Sequence, residues 1–207
     1  MGMDVHGINP KQNKPMKEFP LLYKYNKMER ESKDERGVEG FKQKWEELDA
    51  DDKLKEQYYK ELNDYEKINT GYYFRNNCWW WRPLWNYCRT IAPDLIDEEL
   101  VDSGHGNSGA GLDDKGAKEL GERLLTEINN GYTIQYQASY EQYLNDIPED
   151  DCGVCGGNNR GNTKKKDCNR CEGTGKTKNF NKSYPFDVDN VREFAEFCLQ
   201  CGGFEIC

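Results

Sequence analysis

The chain has 207 residues, of which 35% are hydrophobic and 32% are charged, and its formal net charge is −9. This length allows one large domain or two small ones, and the acidic balance argues against general affinity for the backbone of DNA or RNA. The sequence has no run near the ~20 apolar residues that span a bilayer and no signal-peptide pattern at its start, so we expect a cytosolic protein without membrane contact.

The N-terminal third predicts a strand, an irregular stretch and two helices. Residues 1–10 form a short strand that ends at a turn, and residues 11–39, interrupted by Pro15 and Pro20, are expected to be irregular. Apolar residues recur at helical spacing over 41–48 and again over 54–65, with aspartates between the two runs. The opposite faces are almost entirely charged, so residues 40–70 are predicted to form a charged helical arm or insertion that packs on one side.

The middle of the chain holds its densest aromatic stretch, residues 72–88, which contains four of the five tryptophans. Exposure of so many indoles would promote aggregation, so we expect most of them in the core. Pro83 predicts a helix that begins there and runs to about Thr90, because proline is tolerated in a first helical turn.

The pattern after this block predicts three more helices and a last strand. A glycine-rich loop, residues 103–112, leads into a helix that ends at 129–131, and tyrosines at helical spacing indicate another helix over 132–145. The last helix follows residues 184–190, and the chain ends in a strand. The predicted fold class is α+β, a mostly helical, aromatic-rich body with a small zinc ribbon-like insertion.

Four cysteines carry the strongest chemical signal: Cys152, Cys155, Cys168 and Cys171. They form two Cys-x-x-Cys pairs separated by twelve residues, which lets both pairs face one metal ion. We predict one structural zinc ion, whose four sulfur ligands leave no open position for a catalytic water. The alternative is two disulfides or free thiols, but the odd total of nine cysteines and the cytosolic expectation favour reduced thiols.

The segments 152–157 and 168–175 resemble the Cys-x-x-Cys-x-Gly-x-Gly repeats of the DnaJ-type cysteine-rich zinc domain. The second copy matches in full, whereas the first has Asn159 in place of its last glycine. That family uses four repeats to form two zinc sites and to help bind unfolded polypeptide. The resemblance therefore implies one zinc site here, with contact to protein or RNA, and the missing His-Pro-Asp signature means that J-domain activity is not implied.

Further segments lie outside the cysteine pairs, at residues 2–7, 73–77, 79–85, 184–186 and 189–195. They resemble a group of small bacteriophage and prophage proteins that has no established activity. The resemblance skips about 11–70, the region of the predicted arm. It implies a viral origin and a location in the host cell cytosol.

The charge distribution divides the chain into a main α+β body, residues 1–150 and 183–207, and a zinc ribbon-like module, residues 151–182. The module has eight basic and three acidic side chains, a local +5, so the rest of the chain carries −14. A basic module on an acidic body can dock on an acidic surface or contact nucleic acid. The candidate partner-binding residues are Arg160, Lys164, Lys165, Lys166 and Arg170.

A candidate small-ligand pocket involves the loop Gly104–Gly111 and four side chains: Arg75, Trp81, Arg82 and His105. The loop can cradle a phosphate, but it lacks a P-loop ending and precedes two aspartates, which favours a role for its glycines in turns. His105 has no partner at a catalytic spacing. The two arginines beside aromatic residues either stack on a ligand or make cation–π contacts within the fold.

A third Cys-x-x-Cys pair, Cys198 and Cys201, leaves a second metal site open as an alternative, together with Cys78, Cys88 or Cys207. Core packing is favoured, because a buried free cysteine behaves as a small hydrophobic residue.

The leading functional hypothesis is a non-enzymatic, phage-type zinc-binding protein that binds a host or viral macromolecule, with a protein as the expected partner and inhibition of a host defence as one outcome. The alternatives are a nucleic-acid-binding protein that uses the basic knuckle and a small-ligand-binding protein that uses the Gly104–Gly111 loop.

Overall fold

The computed structural model describes residues 2–32, 38–156 and 165–207. This part of the chain contains eight α-helices: α1 (Pro20–Arg30), α2 (Val38–Asp49), α3 (Asp52–Ile68), α4 (Cys78–Ile91), α5 (Glu98–Gly104), α6 (Asp114–Asn129), α7 (Tyr132–Asp146) and α8 (Val188–Cys198). Its strands are β1 (Gly2–Gly7), β2 (Tyr73–Asn77), β3 (Ala110–Leu112), β4 (Asp150–Asp151), β5 (Lys176–Thr177) and β6 (Phe204–Ile206). The α+β class is confirmed. Of the helices described, none combines the length and the apolar character that a bilayer crossing requires.

Four strands form one antiparallel sheet in the order β2-β1-β6-β3, which joins the two ends of the chain. In the central strand β1, Val5 lies opposite Phe74 on one side and Ile206 on the other. Because strand side chains alternate between faces, Met3 and Val5 are buried while Asp4 and His6 lie on the outer face.

The main core is built from aromatic rings contributed by α4, α8 and the sheet. Trp81 and Trp85 are stacked with ring centroids 5.4 Å apart and are fully buried, and Phe194 lies edge-on to Trp81 at 5.4 Å. Phe204 of β6 completes this contact region beside Trp85. The prediction of an aromatic core is confirmed for these two tryptophans, whereas Trp79 and Trp80 at the start of α4 are only half-buried.

Helix α4 begins at Cys78, so the prediction of a helix starting at Pro83 is wrong. The side chain of Asn77 caps the helix by accepting hydrogen bonds from the amides of Trp79 and Trp80, at 3.0 and 3.1 Å. Pro83 lies inside the helix, where it removes one backbone hydrogen bond. Burial of the tryptophans on this helix compensates for that loss, and this tertiary effect is not visible in the local sequence.

The described residues 16–32 and 38–68 include three helices, α1, α2 and α3, that share a core of their own. Leu22 and Tyr25 of α1 pack with Leu48 of α2 and with Tyr58 and Tyr65 of α3. The prediction of irregular structure for residues 11–39 is wrong over 20–30, which form α1, and at 38–39, where α2 begins, and its part over 33–37 lies outside the described residues.

The physical reasons for α1 are a proline at its start and a cap from another helix. Pro20 occupies the first helical position, where its missing N–H costs nothing. The Glu61 carboxylate of α3 accepts the amides of Leu21 and Leu22 at 2.8 and 3.2 Å. The two helices predicted within residues 40–70 are confirmed as α2 and α3, and the aspartate cap is Asp51.

Hydrogen bonds and close backbone contacts join the three-helix unit to the sheet. Asn13 donates to the carbonyl of Ile68 at 2.9 Å and to the side chain of Gln200 at 3.1 Å. A Cβ atom on Gly71 would lie 2.1 Å from the Gln200 carbonyl oxygen, so only glycine fits at this approach. The unit is therefore held at a defined position beside β1 and β2.

Candidate metal centre

The four cysteines are positioned by a short antiparallel ribbon and two tight turns. Strands β4 and β5 pair in the register Asp150↔Thr177 and Asp151↔Lys176, and an ion pair of 2.7 Å between Asp151 and Lys176 crosses the ribbon. The amide of Cys152 then donates to the carbonyl of Gly175 at 2.9 Å. The ribbon thus brings the first cysteine pair against the loop that follows the second pair.

The second turn depends on residues with positive φ angles. Glu172, Gly173 and Gly175 have φ angles of +50°, +81° and +76°, a region that favours glycine because it has no Cβ. The hydroxyl of Thr174 donates to the Cys171 carbonyl at 2.7 Å and holds this turn closed. The glycines of the motif therefore serve the backbone path around the sulfurs.

The sulfur atoms have the spacing of a tetrahedral metal site. All four lie within 4.8 Å of one another, with 3.7 Å between Cys152 and Cys168 and 3.8 Å between Cys155 and Cys171. A tetrahedron of Zn–S bonds of about 2.3 Å has edges of about 3.8 Å, whereas a disulfide requires about 2.05 Å. None of the four is in a disulfide, and the predicted ligands lie together as a group that could hold a metal ion.

Backbone amides stabilise the thiolate forms of two of these cysteines, Cys152 and Cys171. The amides of Cys155 and Val154 lower the pKa of the Cys152 thiol. Burial raises the pKa of Cys171, but the amide of Gly175, at 3.2 Å from its sulfur, and the neighbouring thiols outweigh burial and bring that pKa to about 7. Because metal binding requires deprotonated sulfur, this arrangement prepares the cluster for an ion.

The cations of the module occupy exposed positions where the structure describes them. Lys166 precedes the second cysteine pair, Arg170 lies between its two cysteines, and Lys178 follows β5; all three are exposed. None of the three makes a hydrogen bond or ion pair with any residue in the described part of the chain. Of the other predicted partner-binding residues, Arg160, Lys164 and the side chain of Lys165 lie outside the described residues.

An aromatic cluster lies where the module joins the body, and the sequence analysis did not identify it. The rings of Phe180 and Tyr184 each lie 4.9 Å from that of Trp79, and Phe180 is 61% exposed. Arg82 donates to the Tyr184 hydroxyl at 2.8 Å, with its guanidinium over that ring. The Phe180-x-x-x-Tyr184 spacing next to the basic segment is the sequence signal that could have indicated this cluster.

The four predicted pocket residues make different contacts in the structure. Trp81 is fully buried, and its indole N–H donates to the Gly104 carbonyl at 2.7 Å. His105 is partly buried and contacts Asn86 through Nε2 at 3.0 Å, and burial, followed by the charge of Arg82, lowers the pKa of its imidazole. Arg75 lies on the outer face of β2, where it faces Asp4 at 3.8 Å.

The glycines of the Gly104–Gly111 loop serve packing and pairing in the fold. A Cβ on Gly104 would lie 2.3 Å from the Trp85 indole, and one on Gly111 would lie 1.7 Å from the Phe204 carbonyl oxygen. The following helix α6 is already capped by Asp113, which accepts the amide of Gly116 at 2.8 Å. A carboxylate at this helix N-terminus disfavours a bound phosphate.

The other cysteines do not assemble a second cluster of metal ligands among the described residues. Cys88, Cys198 and Cys201 are buried in the main core, and burial raises the pKa of each thiol, that of Cys201 to about 11. Cys78 is half-buried and Cys207 is exposed. The interpretation of Cys198 and Cys201 as core residues fits this arrangement.

Comparisons of the chain with protein-family models, curated proteins and solved structures found no match.

Proposed function

We propose that this chain is a non-enzymatic, zinc-stabilised binding protein whose basic module docks on an acidic surface of a protein from a phage or its host. The observation that supports this function is the exposure of Lys166, Arg170 and Lys178 on a cysteine-held scaffold without acidic partners in the described chain. A rigid scaffold restricts these cations before binding, and this preorganisation lowers the entropic cost of association.

Zinc is the ion that we propose for the cysteine cluster. Thiolate ligands select soft or borderline metals, and the sulfur spacing matches a tetrahedral zinc site. Four sulfur ligands complete the coordination shell, so the ion would serve the structure and would leave no position for a substrate. The buried hydrophobic cluster of the module consists of the four cysteines themselves, so the ion would take the place of a core.

Charge reversal on the module tests the docking proposal. The variant Lys166→Glu/Arg170→Glu should lose a partner that the unmodified protein binds saturably, with a slower association rate at low salt. Lys53→Glu/Lys60→Glu is the matched control, since both lysines are exposed on α3 and the change in charge is the same. If both variants retain every bound protein equally, the module is not part of the binding interface.

A second candidate function, binding of single-stranded nucleic acid, is favoured by the aromatic cluster at the base of the module. Single strands bind to aromatic rings beside a basic surface, and each stacked base contributes about 1–3 kcal/mol. Phe180 is exposed for such stacking and lies close in sequence to Lys178.

Fluorescence anisotropy with labelled oligo-dT and oligo-U tests this candidate. Binding should weaken steeply with salt and should fall further in the Phe180→Ala variant. Val154→Ala is a suitable control, because Val154 is an exposed apolar residue of the same module. Absence of salt-dependent binding by both oligonucleotides would eliminate this candidate and leave the protein partner.

A further inference from the structure

A cleft of about 650 Å³ lies between the three-helix unit and the outer face of the sheet, far from the cysteine pairs in sequence. One wall is α3, which contributes Tyr59, Leu62 and Glu66. The other wall is formed by β1 and β2, including His6 and Tyr73. The volume lies within the range of small-molecule sites, about 300–1,000 Å³.

The periodicities of the two walls explain why these side chains meet. Residues 59, 62, 63 and 66 recur at the spacing of one helical face, whereas Tyr58 and Tyr65 of the same helix face the core of the three-helix unit. On the sheet side, strand alternation buries Val5 and turns His6 outward, where its ring lies 5.0 Å from that of Tyr73. The cleft is therefore a product of two regular elements held in fixed relation.

Aromatic rings make up much of this surface. Tyr59 is 40% exposed, and Tyr72 and Tyr73, which also line the cleft, are partly exposed. Tyr73 is held in position because its hydroxyl donates to the carboxylate of Asp4. Electron-rich faces of tyrosine rings attract cations, and this attraction is stronger where water is partly excluded.

Glu66 is a partly buried charged group of this cleft whose side chain has no partner among the described residues. Its carboxylate is partly buried and makes no hydrogen bond or ion pair with any residue that the structure describes. Burial raises the pKa of this carboxyl, and the more distant charge of Arg75 opposes the shift. A desolvated carboxylate without a hydrogen-bonding partner is costly, so a cation placed beside it would recover free energy.

The remaining charges around the cleft are arranged at its rim. Arg75 is 71% exposed and is directed to Asp4 at 3.8 Å, Lys67 is exposed, and Glu193 of α8 adds a second carboxylate. Asp4, Glu66 and Glu193 outnumber the basic groups Lys67 and Arg75, so the carboxylates exceed the Lys and Arg cations around the cleft by one. The net charge of −9 for the whole chain adds a long-range attraction for cations.

We propose that this cleft binds an organic cation, an ammonium or guanidinium group, with Glu66 as its counter-ion and the tyrosine rings around its alkyl or planar part. The cation comes either from a free amine or from a lysine or arginine side chain of a peptide. The cleft does not include the cysteine cluster, so this proposal does not depend on the proposed docking function of the module.

NMR titrations with butylammonium, butylguanidinium and a blocked Gly-Lys-Gly peptide test the proposal. Amide shift changes should localise to α3 residues 59–67 and to β2, and Glu66→Gln should weaken binding by about tenfold or more, because hydrogen bonds to charged groups are the strong ones. Asp64→Asn is the matched control, since Asp64 is an exposed acid on the same helix that does not line the cleft. Tighter binding of the peptide than of butylammonium would assign a protein source to the cation, and equal binding would assign a free amine.

Thermal unfolding without ligand supplies a second measurement. Replacement of an unpaired, desolvated carboxylate by an amide should leave the melting temperature unchanged or raise it, so a loss of binding in Glu66→Gln cannot come from unfolding. The proposal is overturned if none of the three cations produces localised shifts, or if Glu66→Gln and the unmodified protein bind them equally.

Discussion

Removal of the metal should unfold the cysteine module and leave the body intact. The buried cluster of Cys152, Cys155, Cys168 and Cys171 shares no residue with the two aromatic cores, and all eight described helices lie outside residues 150–178. Stripping the ion therefore exposes no apolar surface of either core. The helical circular-dichroism signal and the melting temperature of the body should stay unchanged.

The expected size of the effect on the module follows from zinc-dependent folding. Structural zinc contributes roughly 10–16 kcal/mol of apparent binding free energy at pH 7, which corresponds to a dissociation constant of tens of nanomolar or tighter. A competition titration with a chromogenic chelator should release one equivalent of zinc from a protein purified under reducing conditions. Cys168→Ser should purify without stoichiometric metal and should retain the helical signal.

Trp79 supplies an internal reporter for this experiment. Its ring contacts Phe180 near the end of the module and Tyr184 just after it, whereas Trp81 and Trp85 are buried in the core. Chelation should change the fluorescence emission of the more exposed tryptophans and leave the emission of the buried tryptophans unchanged. The reasoning is refuted if chelation melts the helices cooperatively, or if elemental analysis finds no metal with four reduced thiols.

Three further predictions concern the body. Asn77→Ala should destabilise the protein by about 1 kcal/mol in urea unfolding because it removes the cap of α4, and Asn77→Asp should retain most of the stability. Gly111→Ala should lower the free energy of unfolding by about 1–3 kcal/mol or more, since the new Cβ would lie 1.7 Å from the Phe204 carbonyl oxygen. Gly106→Ala should lower it little, because the nearest atom to its new Cβ would be 3.8 Å away. Burial, and then the charge of Arg82, lower the pKa of His105 in the folded protein, with partial opposition from Asp102. The free energy of unfolding should therefore fall as the pH drops through about 6.5, the pKa of an unfolded histidine. His105→Gln should reduce this pH dependence.

Each of these three predictions has an outcome that contradicts it. An unchanged urea midpoint in Asn77→Ala would mean that the cap contributes nothing to α4. Equal losses for Gly111→Ala and Gly106→Ala would assign the effect to chain entropy and not to the β3–β6 contact. A His105→Gln variant with the same acid sensitivity as the unmodified protein would place the responsible groups elsewhere.

Local patterns predicted the elements whose stabilising groups are close in sequence. The helical periodicity and the caps Asp51, Asp113 and Asp187 lie within or beside their helices, and α3, α6 and α8 follow them. The cluster of four cysteines was also predictable, because the Cys-x-x-Cys spacing and the glycines after each pair are local signals for a closed sulfur site.

Prediction failed where a distant residue stabilises a local conformation. Helix α1 takes its N-terminal cap from Glu61, about forty positions away, and α4 tolerates Pro83 because its tryptophans are buried by α8 and the sheet. The predicted pocket of Arg75, Trp81, Arg82 and His105 stays a prediction, and β-strand alternation places Arg75 on the outer face of the sheet, which its local sequence did not indicate.

The sequence by itself determined the α+β class, an aromatic core and the group of four cysteines that could hold a metal ion, because residue type and spacing are sufficient for hydrophobic periodicity and for a cluster of thiols. Tertiary structure alone decided the aromatic cluster around Trp79 and the cleft beside Glu66. Both arise where separate segments approach one another, and the free energy of that approach depends on packing and burial across the chain, which no local pattern encodes.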